Sequence, residues 1–169
     1  MAKKTDAFAN KFYGTVTESA ANTLTFAEIQ TNIDVFAKKA WILHKLEWFL
    51  SAAQLNKLLA EDDVLTAALC SSNKAAALSL SDATVIDLFQ IDARLISQAG
   101  FELRYSPLSR DFSSLPGGGL IIAPRPLFVA VKGTSLASAI AAEVRGYFTA
   151  IDLNADEYLE LVDFYRIVQ

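Results

Sequence analysis

From Gly100 to Asn154 the chain reads as strand after strand with almost no break, and this constrains the fold more than any other feature. Phe101, Leu103 and Tyr105 alternate with Glu102 and Arg104, the period of a strand with one buried face. A turn-rich Ser113-Ser114-Leu115-Pro116-Gly117-Gly118-Gly119 follows, then two β-rich runs, Leu120-Ile121-Ile122-Ala123 and Leu127-Phe128-Val129-Ala130-Val131. In the last run, residues 141–152, Val144, Phe148 and Ala150 point one way and Glu143, Arg145 and Thr149 the other. No catalytic constellation sits on this framework. The chain therefore reads as one built to present surfaces.

Upstream, residues 1–22 are polar, small and weakly patterned, which predicts an arm that folds only against a partner or the body, with a short helix over residues 7–12. A strand is expected over 23–33, broken by Glu28 and Asn32. The next, over 39–50, sets Ile42, Leu46, Trp48 and Leu50 on one side with His44 among them. A helix competes there, because Trp41, Lys45 and Trp48 share a helical face, but aromatic and β-branched content favours a strand. Ser51 and Gln54 have capping-box spacing ahead of Leu55, Leu58 and Leu59, which predicts a helix over 51–60. Residues 64–70 are strand-like, 71–81 form a small-residue connection, and 84–97 alternates Val85, Phe89, Ile91, Ala93 and Leu95 with Gln90, Asp92 and Arg94. At the end, Asn154 can cap a helix and Glu157 can reach back to it, with Tyr158, Leu161, Val162 and Tyr165 recurring at helical spacing. The order is not the alternation of a parallel α/β sheet. It predicts about eight antiparallel strands in a sandwich, with one helix inserted and one at the C-terminus.

A chain of 169 residues fits one domain and buries a substantial core unaided. Its 53% hydrophobic content excludes disorder and exceeds what a soluble monomer needs, which points to intersubunit surface or an unusually complete core. A formal charge of −4 argues against a surface that grips nucleic acid throughout. Cys70 is the only cysteine, so a disulfide scaffold is excluded, and beside Val64, Leu65 and Leu69 it reads as a small core residue. With no apolar leader and no run near the ~20 residues needed to cross a bilayer, a soluble product of a reducing cytosol is expected.

The candidates for chemistry each have a plainer explanation. His44 is the only histidine, which excludes histidine triads and multi-histidine metal sites and leaves a hydrogen-bonded core or interface residue. Pro116-Gly117-Gly118-Gly119 lacks the Gly-Lys-Ser/Thr ending of a phosphate loop and precedes a strand, so it reads as a turn needing positive φ. Asp152-Leu153-Asn154-Ala155-Asp156 opens like an EF-hand loop, but Glu157 stands where glycine is required and Asp163 where the bidentate glutamate belongs. Asp62-Asp63 and Asp156-Glu157 are expected in solvent, and Ser109-Arg110-Asp111 in a loop shaped by an Arg–Asp pair. Pro124-Arg125-Pro126 removes two backbone donors, so it marks an edge, bulge or connection. No catalytic, cofactor-binding or metal-ligating residues are assigned.

The sequence resembles the single jelly-roll coat proteins of small icosahedral viruses, in the manner of phage or archaeal-virus chains. The resemblance lies in Phe112-Ser113-Ser114-Leu115-Pro116-Gly117-Gly118-Gly119, Pro124-Arg125-Pro126-Leu127, Val131-Lys132-Gly133-Thr134, Val144-Arg145-Gly146-Tyr147-Phe148 and Tyr158-Leu159-Glu160-Leu161-Val162. It implies an eight-stranded antiparallel jelly roll over residues 23–153, an arm at 1–22 and a C-terminal helix and tail at 154–169. The eight strands map to 23–33, 39–50, 64–70, 84–97, 101–106, 119–123, 127–132 and 141–152. It further implies a non-enzymatic virion protein, made in the host cytoplasm and assembling with copies of itself, with no cofactor. Many such proteins carry an arginine-rich arm; here residues 1–22 hold no arginine, and Lys3 and Lys4 make only a mildly basic start, so another virion protein, counterions or an internal membrane would neutralise the genome. The alternatives are a carbohydrate- or receptor-binding jelly roll acting as a trimer, and a small α+β enzyme in which the 51–60 helix and Asp111 line a pocket, with Asp92 as the other carboxylate to test.

Overall fold

The computed structural model describes residues 3–4, 9–29, 39–75, 77–97, 100–123 and 125–167. The chain is mainly β, as two antiparallel sheets packed face to face. In the first, β11 (Ala141–Asp152) is flanked on one side by β1 (Lys3–Lys4) and β2 (Asn10–Thr17), which share its edge. On its other side lies β4 (Lys39–Phe49), whose far edge is shared by β8 (Ser109–Asp111) and β9 (Leu120–Ile122). The second sheet runs β3 (Thr25–Ile29), β10 (Leu127–Thr134), β5 (Val64–Cys70), β6 (Val85–Ser97) and β7 (Gly100–Tyr105). Two helices complete it, α1 (Ala52–Leu55) between β4 and β5, and α2 (Ala155–Ile167) after β11.

Alternation decides which side of each strand is inside. β2 buries Phe12, Gly14 and Val16 and exposes Lys11, Tyr13 and Thr15. These residues, expected in an arm, are a strand of the first sheet; residues 10–12 are not helical, and 7–8 lie outside the described residues. The core joins Phe12, Trp41, Leu43, Leu46 and Trp48 from the first sheet to Ile29, Leu65, Phe89, Val129 and Val131 from the second. Each such large side chain contributes about 1.5–3 kcal/mol on burial. Trp48 stacks on Phe89 across the sheets at 5.8 Å, and Trp41 on Phe148 at 3.8 Å. A smaller apolar cluster, Ala68, Cys70, Val85 and Ala130, has Leu78 of the 71–81 connection packed against it.

Several expectations differ from the structure for identifiable reasons. β4 is a strand, but Trp41 and Leu43 are buried together with Leu46 and Trp48, because the pairing with β11 slips between Tyr147 and Phe148. His44 is the extra residue of that bulge, and it switches which parity faces inward. The expected helix over 51–60 is one turn, and Ser51 makes no side-chain cap; Gln54 instead accepts a 2.9 Å bond from the Ala141 N–H. The strand expected over 23–33 is observed at Thr25–Ile29, with 30–33 outside the described residues. Leu103 and Tyr105 are not on a buried face: β7 is the last strand of its sheet, and they are 37% and 63% exposed. The C-terminal cap forms as its sequence predicts, with Glu157 N–H donating to Asn154 Oδ1 at 2.8 Å and Asn154 N–H to Glu157 Oε2 at 3.0 Å.

Two buried carboxylates stitch the sandwich. Glu18, just after β2, accepts from the Gly133 N–H at 2.5 Å and the Ile140 N–H at 3.0 Å. Asn22 pairs with both backbone groups of Leu136, and the Lys57 ammonium reaches the Ala139 carbonyl. Side chains from two separate segments, the β2–β3 connection and the stretch after α1, thus stand in for backbone partners of the connection between β10 and β11.

Asp87 of β6 points into the sandwich, where Trp48 Nε1–H donates to its Oδ2 at 2.9 Å. Arg110 Nε lies 3.3 Å from its Oδ1, an ion pair without hydrogen-bond geometry. Burial raises the Asp87 carboxyl above its ordinary value, against the pull of Trp48 and Arg110. The native chain then takes up this proton before the unfolded chain does as pH falls. From this group, stability is gained on acidification through the raised value and lost again as pH rises through it. Asp87→Asn keeps an acceptor for Trp48 and should flatten this acid-side gain. Urea midpoints compared between acid and neutral pH check it; an unchanged difference between the two proteins would sink the assignment.

Candidate functional site

On the solvent face of the first sheet, residues pointing away from the core build a connected cluster. β4 supplies Lys45, Glu47 and Phe49, β11 supplies Arg145 and Tyr147, and β2 supplies Tyr13. The antiparallel register sets Arg145 opposite both Glu47 and Tyr13, and Tyr147 opposite Lys45. The Arg145 guanidinium lies 5.2 Å from the Tyr13 ring and 4.9 Å from the Phe49 ring, a cation held by two aromatic faces. Glu47 accepts from Lys45 Nζ at 2.6 Å and from the Tyr147 hydroxyl at 3.0 Å, with Arg145 Nη1 3.7 Å away. The Lys45 and Tyr147 bonds hold the Glu47 carboxyl below its ordinary range, and the bond to Glu47 raises Lys45 in turn. Tyr13, at 59% exposure, and Phe49, at 40%, flank a shallow groove of about 410 Å³ beside Glu143 and Arg145.

A second groove, of about 360 Å³, is apolar. It lies where β7 runs past the end of β4, lined by Trp48, Leu55, Ile91, Leu103, Tyr105 and Leu108 among others. Sequence reasoning placed Leu103 and Tyr105 in the core and so missed this face. Their strict alternation with Glu102 and Arg104 carried no information on whether a second sheet covers them.

The residues singled out in the sequence are dispersed. His44 donates from Nδ1 to the Gly118 carbonyl at 2.8 Å, the only role a carbonyl permits, and its Nε2 lies 3.0 Å from the Thr149 hydroxyl. Thr149 is 3% exposed and His44 half-buried, and the pair tethers the glycine-rich turn. Gly118 holds φ +80 there, which aims its carbonyl at the ring. Asp111 accepts from the Ser113 N–H at 2.8 Å, and Ser113 keeps its carboxyl below the ordinary range. Asp92 sits on the other sheet, bonded to Arg94 at 2.9 Å, so Asp111 and Asp92 share no pocket. Ser109-Arg110-Asp111 is a strand rather than a loop, and Arg110 pairs with Asp87, not Asp111. Asp63, expected in solvent, is buried and accepts from the Leu59 and Ala60 N–H groups at 2.9 and 2.8 Å. Burial pushes the Cys70 thiol up to about 12, which leaves it protonated at neutral pH. Among the described residues, no three His, Cys, Asp or Glu side chains gather as metal ligands, and no helix is long and apolar enough to cross a membrane.

No protein-family model matches the chain, and no curated protein matches its sequence.

Proposed function

We propose that this chain is a coat subunit that assembles with its own copies into an icosahedral virus shell, folded as a jelly roll. The observation that carries this reading is the path of the chain between the sheets. β2, β11, β4 and the β8–β9 pair lie side by side, facing β3, β10, β5 and β6. Successive strands β2 and β3, β4 and β5, and β10 and β11 fall in opposite sheets, while β5 and β6 are neighbours. That winding is the order expected of two interlocked Greek keys. On this reading the first of the eight strands is β2 rather than residues 23–33, the assignments from 23–33 to 84–97 each move one place later, β7 is an addition beside β6, and the last three assignments stand.

A shell subunit must bury its rims against neighbours, typically more than ~1,000 Å² per stable contact. The two grooves and the exposed Tyr13, Phe49, Tyr105 and Leu108 supply apolar surface for such contacts. With a net charge of −4, the subunit leaves genome neutralisation to other virion components. Electron microscopy of the purified protein should reveal closed shells or capsomers. A strict monomer in sedimentation at high concentration would overturn the reading.

One observation favours a second reading, a carbohydrate- or receptor-binding jelly roll. Tyr13 and Phe49 are exposed aromatic faces on a groove, as ring recognition requires, although Arg145 already lies over both. Trp41 and Trp48 are core residues, which removes the strongest sugar-stacking candidates. Titration with a glycan panel, followed through the Tyr13 ring resonances, separates the two readings.

A further inference from the structure

We infer that β7 is a self-complementary edge, through which two copies of this chain pair antiparallel about Leu103 to join their second sheets into one. The inference rests on the self-assembly reading in taking the partner to be another copy, and it names one contact of that assembly.

The backbone sets the first condition. The Ser106 N–H donates to the Gln90 carbonyl at 2.9 Å, and the β6–β7 register pairs Asp92 with Arg104 and Arg94 with Glu102. In an antiparallel ladder the residues alternate, so 102 and 104 turn their peptide groups toward β6 while 101, 103 and 105 turn theirs outward. Among the described residues no strand meets that outer edge. Three consecutive outward N–H and C=O sets therefore stand ready for another strand.

The side chains choose the partner and the register. Only pairings that join odd positions to odd positions satisfy the outward groups and keep the apolar side chains on one face. Centring the pair on Glu102 sets Glu102 against its own copy, and centring on Arg104 sets Arg104 against its own copy. Both place like charges directly opposite, which is destabilising. Centring on Leu103 sets Glu102 of each copy against Arg104 of the other, at the non-hydrogen-bonded positions where side chains come closest.

The outer face of each sheet already alternates in sign, with Asp92 beside Arg104 and Arg94 beside Glu102. Pairing about Leu103 continues that alternation unbroken across both copies. On the inner face it brings together the two exposed Leu103 side chains and sets each Tyr105 along the seam beside the apolar groove. A lysine-only edge would repel a copy; this one matches it.

The test uses the full-length chain in sedimentation velocity across a concentration series. The wild type should dimerise. Arg104→Glu makes position 104 acidic like Glu102, and Glu102→Arg makes position 102 basic like Arg104. Each variant alone should self-associate through β7 roughly tenfold more weakly or worse. An equimolar mixture should recover a one-to-one heterodimer, because every facing pair is then of opposite sign. Recovery in the mixture also demonstrates that both variants fold, and circular dichroism checks each alone. A wild type that stays monomeric overturns the inference whatever the variants do, as do variants that associate as well as the wild type or a mixture that recovers nothing. Shells that persist in both single variants would overturn the β7 contact but leave the coat reading standing. Wild-type dimers sensitive to these charges that never grow further would support the contact and count against the shell.

Discussion

Glu18→Ala should destabilise the native chain by about 3 kcal/mol, because it strands two buried peptide donors at once. The carboxylate accepts from Gly133 and Ile140, on either side of the turn that returns the chain from β10 to β11. The Glu18 N–H itself donates to the Ile140 carbonyl at 2.9 Å, so the residue is a ladder partner through its backbone and a clamp through its side chain. At 4% exposure, water has little access to replace it. Burying the charge has its own cost, but a carboxylate with two peptide donors is well compensated, and truncation removes the compensation from both donors. Glu18→Gln keeps one acceptor oxygen and should lose roughly half as much. Urea denaturation gives both values; an alanine variant within about 0.5 kcal/mol of wild type would refute the clamp.

Gly146→Val should cost roughly 3 kcal/mol or more, and Gly146→Ala somewhat less, through overpacking. A Cβ at position 146 would lie 2.1 Å from Phe12 Cζ and 2.2 Å from its Cε1. The ring has little room to retreat, since it stacks on Trp41 at 5.9 Å and lies 6.1 Å from Phe148, which is itself stacked on Trp41. The register pairs Gly146 with Phe12 directly, so the glycine is the seat on which β2 docks its largest inward side chain. Trimming that side chain should relieve the clash. Phe12→Leu combined with Gly146→Ala is expected to be more stable than the sum of the two single losses predicts. Strict additivity in that double-mutant cycle would mean the two positions do not touch.

Both sites show why part of the fold was legible and part was not. Runs such as 64–70, 127–131 and 141–152 announce themselves because β-branched and aromatic residues recur between turn signals, and that is a property of each segment alone. The same holds for the C-terminal helix, whose cap joins Asn154 to a residue three positions away. β2 was missed because its inward set is Phe12, Gly14 and Val16; a glycine in the apolar register weakens the alternation, though close packing requires it there. The His44 bulge was missed because a slip in pairing exists only relative to a partner strand. Asp63 reads as a solvated carboxylate and nothing local marks Asp87 or Glu18 as buried, because their donors lie on the neighbouring turn, the facing sheet or a connection more than a hundred residues away.

Sequence alone determined that this chain is a mainly β protein with a capped helix at its end, because strand period and cap spacing are local; that the inserted helix is a single turn was decided by the fold. Tertiary structure decided which faces are covered. The β7 alternation of apolar and charged residues specifies two sides, but only the overhang of the second sheet past the first leaves its apolar side open. Burial belongs to the pair of sheets, so no single strand's sequence can state it.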